Sequence, residues 1–235
     1  MRSAKRALCI FICLCALISL VAHPQGVAVY AKEAHIWRSV LSTDKKIALT
    51  FDDGPHPRYT ERILDVLAEY GICATFFLIG ENIGYYDDGI VRRMIDEGHE
   101  IGNHTQNHGH TARMSEESFC ADVRECDSLI SDKFGYRPRV FRPPEGYVDQ
   151  KVKKIAEELG YDIILWSIDT RDWEHATPSQ IVRNIEKNVS GGDIILMHDY
   201  VSGKSTTVAA LRMIIPRLLD EGFEFVSVSE LIKSS

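Results

Sequence analysis

The stretch Ile47-Ala48-Leu49-Thr50-Phe51-Asp52-Asp53-Gly54-Pro55 runs an apolar segment into two adjacent carboxylates and a Gly-Pro turn. Ile47 to Phe51 has the apolar and aromatic make-up of a buried strand. Gly54 and Pro55 stop that strand and force a turn, which holds Asp52 and Asp53 at its tip. Neighbouring carboxylates repel, and each disfavours ionisation of the other unless a cation or donor stands between them. Taken alone, Asp-Asp-Gly-Pro also reads as a polar turn with a helix cap. The residues placed elsewhere along the chain decide between the two.

Downstream, strand-like and helix-like segments alternate with little spare loop. Thr60 to Tyr70 is expected as a helix with Ile63, Leu64 and Leu67 on one face, closed by Gly71. Ile72 to Ile79 reads as the second strand, 89–97 as a short helix ended by Gly98, and His99 to Gly102 as the third strand. Ser115 caps a longer helix to Lys133. Val140 to Arg142 is a fourth strand, broken by Pro143-Pro144. Asp149 to Leu159 is a helix stopped by Gly160, and Ile163 to Ile168 the fifth strand. Thr177-Pro178 supplies a cap and a first-turn proline for a helix to Val189. Asp193 to Met197 is the sixth strand, Thr207 to Glu221 a helix kinked at Pro216, Phe223 to Val228 the seventh strand, and a short helix from Ser229 closes the chain. Seven strands alternating with helices predict an α/β fold with a parallel sheet, either open and doubly wound or closed as a barrel. No Gly-x-Gly-x-x-Gly follows the first strand, so no nucleotide is expected.

Residues 1–31 stand apart. Arg2, Lys5 and Arg6 precede an apolar run from Ala7 to Ala22, and Val29-Tyr30-Ala31 offers small residues for cleavage. That is the layout of a secretory signal peptide, or, uncleaved, of a short N-terminal membrane anchor. Residues 32–44 are a short polar lead-in, and 45–235 is expected to form one catalytic domain that works in an extracytoplasmic or secreted setting. Without residues 1–31 the formal charge falls from −7 to −10, which argues against nucleic acid as a partner. Cys73, Cys120 and Cys126 remain beyond residue 31. An odd count is no disulfide framework, and there is no Cys-x-x-Cys for a thiolate metal site. The oligomeric state is not readable.

The unusual polar residues collect where expected strands end. Asp52 and Asp53 follow the first, His104 and His108 the third; Arg142 ends the fourth; Asp169, Asp172 and Trp173 follow the fifth; and His198 follows the sixth. In β/α barrels those carboxyl-terminal tips carry the active site. His104-Thr105-Gln106-Asn107-His108 has a spacing that, on one helical turn, puts two imidazoles on one side. Two His and one carboxylate make a common catalytic zinc set, with either Asp52 or Asp53 as the carboxylate and the other free to accept a proton. His198 would act as an acid if a carboxylate oriented it, and Asp169 and Asp172 are both candidates.

Thr50-Phe-Asp-Asp-Gly-Pro55, His104-Thr-Gln-Asn-His108, Arg142-Pro-Pro-Glu-Gly146, Asp169-Thr-Arg-Asp-Trp173 and Ile195-Leu-Met-His198 together resemble the five ordered motifs of the polysaccharide deacetylase family, carbohydrate esterase family 4 with its NodB homology domain. The resemblance implies a distorted (β/α)7 barrel. It implies removal of acetyl groups from N-acetylglucosamine-type polysaccharide, peptidoglycan or chitin-like, with a divalent metal, zinc first. O-acetyl esterase action on xylan, or a non-catalytic cell-wall-binding homologue, is the alternative. By motif matching, Asp53, His104 and His108 would bind the metal and Asp52 would activate water. His198, tuned by Asp172, would protonate the leaving amine, and Arg142 would position Asp52. Trp173 and Leu196 would line the acetyl pocket. The backbone N–H at Glu145 would bind the oxyanion, but Glu145 stands where the family often has an aromatic residue, which implies an altered sugar preference.

Overall fold

The computed structural model describes residues 33–42, 44–86, 88–200 and 205–234. The leader expected over residues 1–31 lies outside them. Among the described residues no helix is long and apolar enough to cross a membrane. The chain runs through β1 (Ile36–Trp37), β2 (Lys46–Gly54), α1 (Tyr59–Tyr70), β3 (Thr75–Leu78), α2 (Gly80–Tyr85), α3 (Asp88–Asp96), β4 (Glu100–Asn103), α4 (Glu116–Phe134), β5 (Val140–Phe141), α5 (Gln150–Leu159), β6 (Asp162–Ile164), β7 (Ile168–Asp169), α6 (Pro178–Asn188), β8 (Ile194–His198), α7 (Thr207–Asp220), β9 (Glu224–Phe225) and α8 (Val228–Lys233). The strands pair in the order β1-β6-β5-β4-β3-β2-β8-β7, with β9 also on β2. Each of these pairings is parallel. This is the distorted (β/α)7 barrel.

β2 organises it. Successive side chains of a strand point to opposite faces. Ile47, Leu49 and Phe51 face the helical layer, fully buried in one core with Ile63, Leu64 and Leu67 of α1. Each such side chain contributes about 1.5–3 kcal/mol relative to exposure. Ala48 faces the barrel interior with Phe77, Val140 and Ile164, and Thr50 and Asp52 share that face, where they meet the Arg142 side chain. Because β8 lies beside β2, Asp52 is opposite His198. On the other flank, β3 lies between β2 and β4, which brings the tip carrying His104 within reach of Asp53.

Helix ends follow the local sequence. Ser115, Asp149 and Thr177 accept hydrogen bonds from backbone N–H groups of α4, α5 and α6, each cap stabilising by about 1 kcal/mol. The strands depart from expectation in three places. First, the lead-in is part of the sheet: Ile36–Trp37 pairs with β6, and Val40 is buried with its N–H on Gly192 O at 2.8 Å. A Cβ at position 192 would stand 1.9 Å from Val40 O, so glycine permits that approach. Second, the fifth strand splits into β6 and β7, which pair with different neighbours. The carbonyls of Ile164 and Leu165 accept from the Arg142 guanidinium instead of from a strand, and the barrel closes through the chain itself at residues 165–167. Third, the last strand is only Glu224–Phe225, because Ser227 caps α8 by accepting from Glu230 N–H. The α2 turn, with two glycines in Gly80-Glu-Asn-Ile-Gly-Tyr85, has no periodicity to announce it.

Candidate active site

Arg142 lies inside the barrel with no exposed surface, rather than on the surface in a solvated ion pair. Its Nη1 donates to Asp52 Oδ1 at 2.7 Å and to Thr50 Oγ1 at 2.8 Å. Nε and Nη2 donate to the Ile164 and Leu165 carbonyls at 3.1 and 3.0 Å. The guanidinium also stands 4.2 Å from the centroid of the Phe77 ring, a cation–π contact. Burial lowers the Arg142 pKa, while the Asp52 charge and hydrogen bond oppose that shift. A buried cation held this way orients its partner. Asp52 Oδ1 is committed to Arg142, and Oδ2 faces His104 Nε2 at 3.8 Å.

Asp53, His104 and His108 form one cluster: an oxygen of the first and a ring nitrogen of each of the others all lie within 4.8 Å of one another. Asp53 Oδ1 is 3.5 Å from His104 Nε2 and 3.3 Å from His108 Nε2, yet it is a buried acceptor without a hydrogen-bond partner. His104 Nδ1 lies 2.6 Å from Arg142 O. A carbonyl only accepts, so Nδ1 carries the hydrogen and Nε2 is the ligating atom, the usual outer support of a metal-binding imidazole. An unpartnered carboxylate oxygen facing two such nitrogens fits a divalent metal. Burial alone would raise the Asp53 carboxyl, but the adjacent His104 and His108 outweigh it and hold the pKa at about 2. Against burial, Asp52 and Asp53 raise His104. Burial, and then repulsion from His104, lowers His108.

The two histidines do not stand on a helical turn, as their spacing suggested. Thr105 and His108 have φ of 72° and 49°, a left-handed geometry that opens the helix. Asn103 Oδ1 accepts from Thr105 N–H, and Thr105 Oγ1 accepts from His108 N–H. Buried Asp122 accepts from the Asn107 side chain at 2.6 Å. Asp53 is itself left-handed, with φ of 71°, and its carbonyl accepts from Asn82 Nδ2 at 2.9 Å. Strain of this kind persists only where neighbours over-determine it.

His198 completes the far side. Its Nδ1 is 2.8 Å from Asp172 Oδ1, and Asp172 Oδ2 accepts from His198 N–H and Thr207 Oγ1. Burial works against the charged imidazole, but the Asp172 hydrogen bond and charge prevail and raise His198 to about 9. Asp169, the other candidate partner, instead accepts from Arg171 N–H and Trp173 Nε1. Glu145, left-handed at φ 60°, pairs its Oε2 with His110 Nδ1 at 2.9 Å. A cavity of about 610 Å³ joins these groups, with Trp173, Leu196 and Glu145 in its wall beside Asp52, Asp53 and His198.

All eleven residues singled out in the sequence, Asp169 among them, therefore meet around one cavity or brace its lining. Sequence reading passed over Trp166 and Tyr200, which also line it, and Asp199, which is fully buried. The acid directly after the apolar run ending at His198 was a usable signal, of the same kind as Asp52-Asp53. Gly203-Lys204-Ser205 does not reopen nucleotide binding, since a phosphate loop needs a glycine five positions earlier and His198 is there.

A sequence model of the family described as Polysaccharide deacetylase matches residues 40–164. A peptidoglycan-N-acetylglucosamine deacetylase of Bacillus cereus is 43% identical over 196 residues, 83% of this chain and 91% of that protein. Peptidoglycan-N-acetylglucosamine deacetylase PgdA of Listeria monocytogenes is 36% identical over 80% of this chain, which spans 39% of that longer protein. The crystal structure of the Bc1960 peptidoglycan N-acetylglucosamine deacetylase superposes with a TM-score of 0.80 at 36% identity, covering 83% of this chain and 92% of that one.

Proposed function

Because the chain belongs to the polysaccharide deacetylase family, we propose that it hydrolyses the acetamido groups of N-acetylglucosamine residues in a cell-wall or chitin-like polysaccharide, outside the cytoplasm. The observation that carries this reading is the disposition of Asp52 and His198. They sit opposite each other on neighbouring strands, each with its own fixed partner, beside the Asp53–His104–His108 cluster.

In this reading Asp53, His104 and His108 hold the metal, and two imidazoles with one carboxylate favour zinc. A bound divalent ion would supply Lewis acidity to the acetyl carbonyl and make hydroxide available near neutral pH. Asp52 accepts the proton of the attacking water through Oδ2, since Arg142 occupies Oδ1. The new bond joins water oxygen to the acetyl carbon, and the backbone N–H at Glu145 is the donor assigned to the oxyanion. Trp173 and Leu196 receive the methyl group. His198, protonated against Asp172, gives its proton to the nitrogen as the carbon–nitrogen bond breaks, leaving acetate and a free amine. The Glu145 carboxylate at the mouth, paired with His110, is where substrate preference would differ from relatives with an aromatic residue there. Residues 1–31 serve as the secretory leader or anchor.

The test is acetate release from peptidoglycan, chitooligosaccharides and acetylated xylan, with and without chelator. Release from the N-acetyl substrates, lost with chelator and restored by zinc, is expected. Release from xylan alone would make it an O-acetyl esterase. Binding without any release would make it a non-catalytic wall-binding protein.

A further inference from the structure

The cavity wall contains an aromatic group that the reaction above does not use. Tyr200 lies two residues past His198, at most about 7 Å along the chain, and lines the same cavity. Its ring stacks on His56, with centroids 4.8 Å apart and planes at 4°. Tyr59 stands 4.9 Å from His56, Tyr86 stands 5.9 Å from it, and Tyr85 packs edge-on against Tyr86. The row ends in the open, for Tyr85 is 81% exposed. Tyr200 keeps 41% of its surface exposed although His56 covers one of its faces.

This stack is held rigidly. His56 Nδ1 accepts from the Arg58 and Tyr59 N–H groups, so the ring hydrogen sits on Nε2. Burial, and then Arg58, lowers its pKa, so the imidazole is a neutral flat surface. One buried carboxyl group, that of Asp199, fixes both rings from behind. Thr60 Oγ1 accepts from His56 N–H at 2.7 Å and donates to Asp199 Oδ2 at 2.6 Å. Asp199, the residue before Tyr200, also donates its N–H to Asp52 O at 2.9 Å. The platform is thereby tied to the same strand tips as the reacting groups.

An aromatic face braced on one side and open on the other, continuous with a polar cleft, matches a pyranose ring. The sugar offers axial C–H groups to the electron-rich face and keeps its hydroxyls in water at the edge. We propose that Tyr200, backed by His56, is the stacking platform for the sugar next to the one being deacetylated, and so makes the protein select for chain length. This rests on the deacetylase reading, which supplies the sugar chain.

The test compares wild type with Tyr200→Ala and Tyr200→Phe on the N-acetylglucosamine monosaccharide, which leaves the neighbouring position empty, and its tetrasaccharide, which fills it, scoring acetate release and, separately, calorimetric binding. The ratio of kcat/KM for tetrasaccharide over monosaccharide should fall about tenfold in Tyr200→Ala, through KM, and should survive in Tyr200→Phe, which keeps the ring. An unchanged ratio in Tyr200→Ala overturns the platform while the deacetylase reading stands. Equal loss in Tyr200→Phe also overturns it, since the hydroxyl would then be the recognising group. If wild type releases no acetate but binds the tetrasaccharide, and Tyr200→Ala weakens that binding about tenfold, the platform stands and the reaction fails.

Discussion

Arg142 donates to Asp52 across 2.7 Å with 0% and 6% of the two side chains exposed, and the pair forms the polar centre of the barrel interior. Taking both charges out of water is costly, and their attraction only partly repays it. What the pair contributes is direction, since it leaves Asp52 one free oxygen on the side of His104. Arg142→Met strands a buried carboxylate and should cost about 3–5 kcal/mol. For a domain of this size that lowers Tm by about 6–20 °C. A melting curve within two or three degrees of wild type would contradict the buried pairing.

Asp52 and His104 should separate metal binding from turnover. Asp52→Asn is expected to retain the metal by elemental analysis while turnover falls at least about 100-fold, the lower range for a positioned base. His104→Ala is expected to lose the metal. With metal at 100 times Kd, wild type gains about 2.7 kcal/mol, or about 5–10 °C in Tm, and His104→Ala should gain nothing. Loss of metal from Asp52→Asn would exchange the roles of the two acids.

His198 sets an alkaline limit. Its imidazolium is favoured in the folded protein, with a pKa raised to about 9. An acid role therefore persists below about pH 9 and is lost above it. The matching stabilisation is fully present below the unfolded pKa of about 6.5 and disappears as pH rises through 9. In Asp172→Asn the alkaline limb of kcat/KM should move toward lower pH, read from a pH–rate profile. A limb that stays near 9 would mean that another group reports it.

Gly54 is required by a side chain far away in sequence. A Cβ there would stand 2.1 Å from Asp199 Oδ2, and Asp199 is locked by Thr60. Gly54→Ala should cost about 1–3 kcal/mol, the usual range for overpacking. The Gly54→Ala, Asp199→Ala double variant should lose less than the two single variants added together, because the second change vacates the clash. Additive losses in chemical denaturation would remove this explanation.

Much of the fold is local chemistry and was legible as such. Gly71, Gly135 and Gly160 end their helices in the left-handed conformation, and Ser115, Asp149 and Thr177 start theirs, because caps act within a few residues. β1 was invisible because two residues without flanking periodicity form a strand only when β6 is already there to pair with. The fifth strand looked continuous because its break comes from Arg142, which takes two of its carbonyls.

The sequence alone determined which residues could do chemistry: acids, imidazoles and a cation at the ends of apolar runs, in an order that resembles one family. Residue type and spacing left the labour among like residues undivided, and the resemblance to the family is what assigned Asp53 to the metal, Asp52 to water and Asp172 to His198. Asp52 and Asp53 are adjacent and chemically identical, and only the barrel, by burying Arg142 against one and turning the other toward His104 and His108, makes them different. Asp172 rather than Asp169 meets His198 for the same reason. Proximity between groups far apart in sequence exists only once packing has occurred, and hydrogen bonds and charge interactions at about 3 Å depend on that proximity. The Asp52-Asp53 pair was readable in the chain; which acid faces the two imidazoles was decided by the tertiary structure.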